Sequence, residues 1–244
     1  MLNIGSLHRF LGRFEGDFGI IEGGEYHHLK RVLRMKLGDK LRVFDGEREY
    51  LAEIVSFEGD VAKVKLLQEL PKLIPPIELT VAVSPPKGTR LDDLIEKLVE
   101  IGVSRIIPMI CERTVKRPKE KKDRWERIII SAVKQCGRSD IPEITEPKTL
   151  EEILIISKDF DKKLAGLIGS EKYIYDADYG KKTIILIGPE GDFTDEEKER
   201  IIKSGFEGFS LGGIILRVET AALVSSSVIL QRAWRYEGSN NRQG

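Results

Sequence analysis

Pro71 and the pair Pro75-Pro76 split this sequence into two stretches with different periodicities. Proline has no backbone N–H to give a ladder and fixes φ near −65°, so this cluster ends any strand that reaches it. Before it, residues 40–44, 50–57 and 61–66 alternate apolar and polar side chains with the period of a half-buried strand. Asp45-Gly46 and Glu58-Gly59-Asp60 supply residues that tolerate the positive φ of tight hairpins, so neighbouring strands should pair antiparallel. A small β-barrel over residues 1–72, with one short helix at 25–35, is the expected first domain.

After the prolines the period changes. Residues 77–83 read as a strand, and Leu91, Leu94, Ile95, Leu98 and Ile101 fall on one helical face. Thr89 with Asp92 gives a capping-box-like start to that helix, and Gly102 stops it. Residues 105–109 are the next strand. Trp125, Ile128, Ile129, Ala132, Val133 and Cys136 make a second helical stripe, 163–168 and 183–187 further strands, and Thr194 with Glu197 another capping box before a helix that Gly205 ends. Strand–helix alternation of this kind builds an α/β domain on a largely parallel sheet, here 73–244. The last helix, about 219–236, is apolar on nearly every side apart from Ser225, Ser226 and Ser227. A helix without a polar face needs cover on both sides, which predicts a homodimer.

Two loops carry the clearest functional signal. Leu186-Ile187-Gly188-Pro189-Glu190-Gly191-Asp192 and Leu211-Gly212-Gly213-Ile214-Ile215-Leu216-Arg217-Val218-Glu219-Thr220-Ala221 each follow an apolar run and lead into a helix. Strand-end loops of this type converge on a crevice suited to a nucleotide-like cofactor. The sequence has no GxGxxG after the first strand, no GxxxxGK[ST], no HExxH and no GxSxG. Glu190 would repel a triphosphate, so neutral adenosine or a cofactor with a positive centre fits better.

The 40 basic and 40 acidic residues cancel, but unevenly. Residues 27–42 hold six basic side chains against Asp39 alone, and 113–138 hold ten against three acidic ones. Two such stretches in a neutral chain predict a footprint for a phosphate backbone; each alone would also suit a solvated helix face. Lys87-Gly88-Thr89-Arg90 suits either RNA contact or a helix start. Two cysteines without CxxC spacing, and a His27-His28 pair with no third ligand nearby, predict no metal. With no signal-like apolar segment near Met1 and no membrane-length apolar run, the expected location is the cytoplasm.

Gly188-Pro189-Glu190-Gly191, Leu211-Gly212 and Leu216-Arg217-Val218-Glu219-Thr220-Ala221 resemble the SPOUT class of S-adenosylmethionine-dependent RNA methyltransferases. Within that class, three further segments resemble the ribosomal RNA small subunit methyltransferase E family: His27-His28-Leu29 with Val32-Leu33-Arg34, Lys97-Leu98-Val99-Glu100-Ile101-Gly102-Val103, and Gln135-Cys136-Gly137-Arg138 with Ile141-Pro142-Glu143-Ile144. The resemblance spans nearly the whole chain. It implies an N-terminal PUA-like barrel, a C-terminal parallel-sheet domain with a trefoil knot, a dimer, and N3-methylation of one uridine in 16S rRNA of the small subunit or its precursor. Asp192 stands where the family usually has glycine, Ile214 where it has arginine, and Gly169-Ser170 where a histidine often precedes Glu171.

On that basis Leu167, Leu186, Ile187, Gly188, Pro189, Glu190, Gly191, Leu211, Gly212, Ile215, Leu216, Arg217, Glu219, Thr220 and Ala221 are the expected cofactor residues. Ile187 and Ile215 would be apolar walls, and Glu190 or Glu219 would balance charge. Arg217, Arg138 and Glu219 are the catalytic candidates, the arginines as cations for a developing uridinate. His27, His28, Arg31, Arg34, Arg117, Gln135 and Arg138 are the expected RNA contacts. Glu190 and Glu219 also suit helix capping, and Arg217 an interface ion pair. The same pocket would serve another SPOUT enzyme acting on a ribose 2′-hydroxyl or a tRNA base, and the same fold a non-catalytic RNA-binding assembly factor.

Overall fold

In the computed structural model, which describes residues 4–86, 90–114 and 122–240, the chain divides at Pro75. The first unit is Met1–Ile74 together with Val133–Ile141; the second is Pro75–Ala132 with Pro142–Gly244.

The first unit holds β1 (Arg9–Leu11), β2 (Arg13–Glu15), β3 (Phe18–Glu22), β4 (Lys40–Phe44), β5 (Glu49–Glu58) and β6 (Val61–Glu69) in the order β1-β4-β5-β6-β3-β2. The alternation in β4 to β6 turns Leu41, Val43, Ala52, Ile54, Ala62 and Val64 inward onto Phe10, Ile21 and Leu29. Hairpins join β4 to β5 and β5 to β6; in the first, the Asp45 carboxylate accepts from the Glu47 and Arg48 amides at 2.9 and 2.7 Å. β1 pairs with β4 in parallel, an arrangement that hairpin logic does not supply. The two ends of this order, β1 and β2, are consecutive in the chain, so the curled sheet closes through Gly12. A side chain there would meet the Ile20 carbonyl and the Val43 side chain at 2.8 Å.

The helix expected at 25–35 is shorter and wound differently. One α-helical stretch, α1 (Gly23–His27), passes into a π-helical turn at His28–Val32, where the Leu33 amide reaches the His28 carbonyl at 3.0 Å. Arg34, at φ +55°, ends it.

The second unit contains β7 (Glu78–Val83), α2 (Arg90–Ile101), β8 (Arg105–Ile110), α3 (Lys122–Cys136), β9 (Glu143–Ile144), β10 (Lys148–Thr149), α4 (Leu150–Ile156), β11 (Lys162–Gly166), β12 (Lys182–Ile187), α5 (Asp195–Lys203), β13 (Glu207–Phe209) and α6 (Val218–Asn240). The last turn of α3 and the loop after it form the inserted part of the first unit. The sheet order is β10-β8-β7-β12-β11-β13, with β9 beside β8, and every recorded strand pair is parallel.

α2 buries Leu91, Leu94, Ile95, Leu98 and Val99, and Gly102 stops it at φ +112°. Thr194 and Glu197 form the expected capping box of α5, and Thr149 and Glu152 form a second one at α4. α6 packs on β7, β12 and α2. Its buried Ser225 and Ser226 return their hydroxyls to carbonyls of Ala221 and Ala222, so they need no outside partner. Val224, Trp234 and Tyr236 on α6 stay open to solvent in the single chain. Among the described residues, no helix is long and apolar enough to cross a membrane.

Candidate active site

Gly166, the last residue of β11, pairs with Ile187 on one side and Phe209 on the other. Three adjacent parallel strands therefore end in register, and their following loops open on one edge, where parallel α/β sheets bind ligands. These loops enclose a crevice of about 210 Å³. Leu167, Ile187, Leu216 and Val218 supply apolar wall, and Gly188, Gly212 and Gly213 expose backbone.

The first loop is built around a turn in which the Asp192 amide reaches the Pro189 carbonyl at 2.9 Å. From outside, Arg113 donates to the Gly191 carbonyl at 2.8 Å. Gly188 lies against the buried Phe193 ring, which a Cβ would meet at 2.8 Å. The other loop turns at Gly212, φ +120°, where the Ser210 hydroxyl lies 3.2 Å from the Gly212 amide. Glu190 and Asp192 are the charged residues of the lining.

Among the described residues of the lining a polyphosphate would meet two carboxylates and no cation, Asp192 being paired with Lys198 from outside, whereas a neutral adenosine joined to a cationic centre meets apolar walls, backbone groups and the Glu190 carboxylate. Nearby, the buried Cys111 is not a thiolate nucleophile: burial, reinforced by the Glu197 charge, pushes its thiol far up.

The comparisons with known proteins agree with this geometry. A family model described as an RNA methyltransferase domain matches residues 74–230, and one described as an RNA methyltransferase PUA domain matches 21–67. The ribosomal RNA small subunit methyltransferase E of Bacillus subtilis is 30% identical over 227 residues, covering 86% of this chain and 88% of that one. Its counterpart from the Buchnera aphidicola of Acyrthosiphon pisum is 32% identical over 230 residues, covering 87% of each. This chain belongs to the ribosomal RNA small subunit methyltransferase E family.

Two solved structures carry the likeness into three dimensions. A Legionella pneumophila methyltransferase, in complex with bound SAM, has a TM-score of 0.83 at 30% identity and covers 93% of this chain and 98% of its own. The Neisseria gonorrhoeae ribosomal RNA small subunit methyltransferase E, bound to S-adenosyl methionine, has a TM-score of 0.82 at 28% identity with the same coverage. As a member of this family the chain is an RNA methyltransferase, a PUA barrel followed by a SPOUT-class parallel-sheet domain.

Of the expected cofactor residues, Leu167, Ile187, Gly188, Pro189, Glu190, Leu211, Gly212, Ile215, Leu216 and Ala221 line the crevice. Leu186 lies in the core beneath it, while Gly191, Arg217, Glu219 and Thr220 stand outside the lining. Arg217 is exposed. The Glu219 carboxylate has one oxygen 3.5 Å from Arg90 Nη1 and the other buried without a hydrogen-bond partner among the described residues. Gly166, Ile168, Gly169, Phe209 and Ser210 also line the crevice, outside the motif residues. They follow from strand order, which no local pattern carries.

Of the expected RNA contacts, His27, Arg31, Arg34 and Gln135 are exposed on the first unit, and His28 is half-buried beside the Phe10 ring. Arg138 is buried, with Asp140 accepting from its Nε and Nη2 at 2.9 and 2.6 Å. An RNA contact through that guanidinium requires the pair to open. Arg117 lies outside the described residues, as does Thr89 of the expected α2 cap.

Proposed function

We propose that this chain transfers a methyl group from S-adenosylmethionine to N3 of a uridine in 16S rRNA of the small ribosomal subunit, in the cytoplasm and without a metal. The crevice carries the proposal, with its glycine-exposed backbone, its apolar walls and the carboxylates of Glu190 and Asp192. When bound, the cofactor supplies an electrophilic methyl carbon on a sulfonium. Backbone groups of Gly188, Leu211 and Leu216 hold the adenine and ribose between Ile187 and Ile215, and Glu190 offsets the positive charge. Arg217, beside the crevice-lining Leu216 and Val218, stabilises the negative charge that develops on the uracil oxygens as the N3 proton leaves to solvent water. Glu219 orients the base next to it. Arg31, Arg34, Gln135 and Arg117, with His27 and His28, hold the RNA, and Arg138 shapes their loop through Asp140. Two copies pair through the open apolar residues of α6, and the loops around the crevice are threaded as a trefoil knot.

The test is methylation of small subunits, free 16S rRNA and tRNA with labelled S-adenosylmethionine, followed by nucleoside mass spectrometry. The expected product is 3-methyluridine in the small subunit. A ribose 2′-O-methyl product or labelled tRNA points to a different RNA methyltransferase specificity, and failure to bind millimolar cofactor by calorimetry points to a non-catalytic assembly factor.

A further inference from the structure

The first unit buries a pair of opposite charges that methyl transfer does not use. Arg9 and Glu49 are 6% and 1% exposed, and two hydrogen bonds of 2.9 and 2.8 Å join guanidinium to carboxylate. Arg42 donates to the same carboxylate at 2.7 Å, and the Arg9 guanidinium lies 4.0 Å from the centre of the Phe44 ring. The remaining bonds of Arg9 run to the carbonyls of Val133 at 2.6 Å and Arg138 at 2.7 Å. One planar group thus brackets both ends of the segment that contains Lys134, Gln135, Cys136 and Gly137. Lys134 is tied to both oxygens of Glu25, and Ser139 exchanges two hydrogen bonds with Leu73. Gln135, between the fastenings, is exposed.

Removing two charges from water costs several kcal/mol, and a well-packed apolar pair often stabilises a core as well or better. What an apolar pair cannot do is grip two carbonyls in fixed directions. A carboxamide held in place offers a donor and an acceptor at once, the combination that reads unpaired base edges.

We propose that Arg9 and Glu49 are positioning residues for RNA recognition, holding the last turn of α3 and the residues after it, 133–138, on the barrel so that Gln135 forms part of its RNA-contacting surface. This rests on the chain's methylating RNA as proposed above. Arg9→Lys keeps the charge but loses the fork, and so cannot hold both carbonyls and the carboxylate together. KM for the RNA substrate is expected to rise about tenfold in Arg9→Lys and in Gln135→Ala, and still only about tenfold in the double variant, because groups acting through one contact are not additive. Cofactor affinity and kcat stay within about twofold of wild type, since neither residue touches the crevice. A rise of about a hundredfold in the double variant, or a wild-type KM in either single variant, overturns the proposal. Glu49→Gln loosens the grip from its other side and reads the same quantity if Arg9→Lys folds poorly. A wild-type chain that binds cofactor yet methylates no RNA refutes the proposed function instead.

Discussion

The Asp192 carboxylate accepts a hydrogen bond from the Phe193 amide at 2.9 Å, while the Asp192 backbone itself turns left-handed at φ +59°. A left-handed conformation favours glycine, and aspartate is tolerated here because it bonds locally to its own turn. Its second oxygen pairs with Lys198 at 2.7 Å.

Asp192→Gly should therefore stay within about 1 kcal/mol of wild type, since relief of the left-handed strain offsets the lost contacts. Asp192→Ala keeps the strain without the hydrogen bond and should lose about 1–2 kcal/mol. Denaturant unfolding of both variants checks the order; an alanine variant as stable as the glycine one contradicts it.

Gly188→Ala places a methyl 2.8 Å from the Phe193 ring, whose 1% exposure leaves it nowhere to move. A stability loss of about 1–3 kcal/mol is expected, together with weaker cofactor binding as the loop is displaced. Thermal melting and calorimetry with S-adenosylmethionine measure the two effects.

Arg217→Ala should lower kcat for RNA methylation about a hundredfold while leaving cofactor affinity within about twofold, as expected of a cation that acts mainly on the transition state. Single-turnover kinetics paired with cofactor titration separates the two. A change in affinity alone would place Arg217 on the cofactor.

Cys111 should resist alkylation in the native protein at about pH 8, because burial and the nearby Glu197 charge disfavour its thiolate, whereas the half-buried Cys136 should label first. Equal labelling rates would contradict this. The sign for stability follows: above the ordinary thiol value of 9.0 the unfolded chain ionises this group and the folded chain does not. Stability then falls as pH rises, and part of that alkaline fall should be missing in Cys111→Ala.

The parts legible in the sequence are those fixed by neighbours along the chain. β4, β5 and β6 show themselves through alternation and through Asp45-Gly46 and Glu58-Gly59-Asp60, and the cap of α5 through Thr194 and Glu197. β1 and β2 are three residues each, broken by Gly12 and Gly16, so no period has room to develop. The two glycine loops were legible as motifs, but Gly166 and Phe209 join them only through strand register, a property of distant residues. Arg138 reads in sequence as an available cation, but it is buried. Asp140, two residues on, was the local sign that its charge would be answered.

The discontinuous make-up of the first unit bears on how such proteins can be recombined. A fragment ending at the proline linker would keep Arg9 and Glu49 but lose the two carbonyls that take the rest of the guanidinium's bonds. The barrel is thus not a portable cassette. The N-terminal strands alone leave Arg9 paired with Glu49 but with two of its N–H groups unanswered, so a chimera that exchanges RNA specificity between relatives has to carry 133–141 along with those strands.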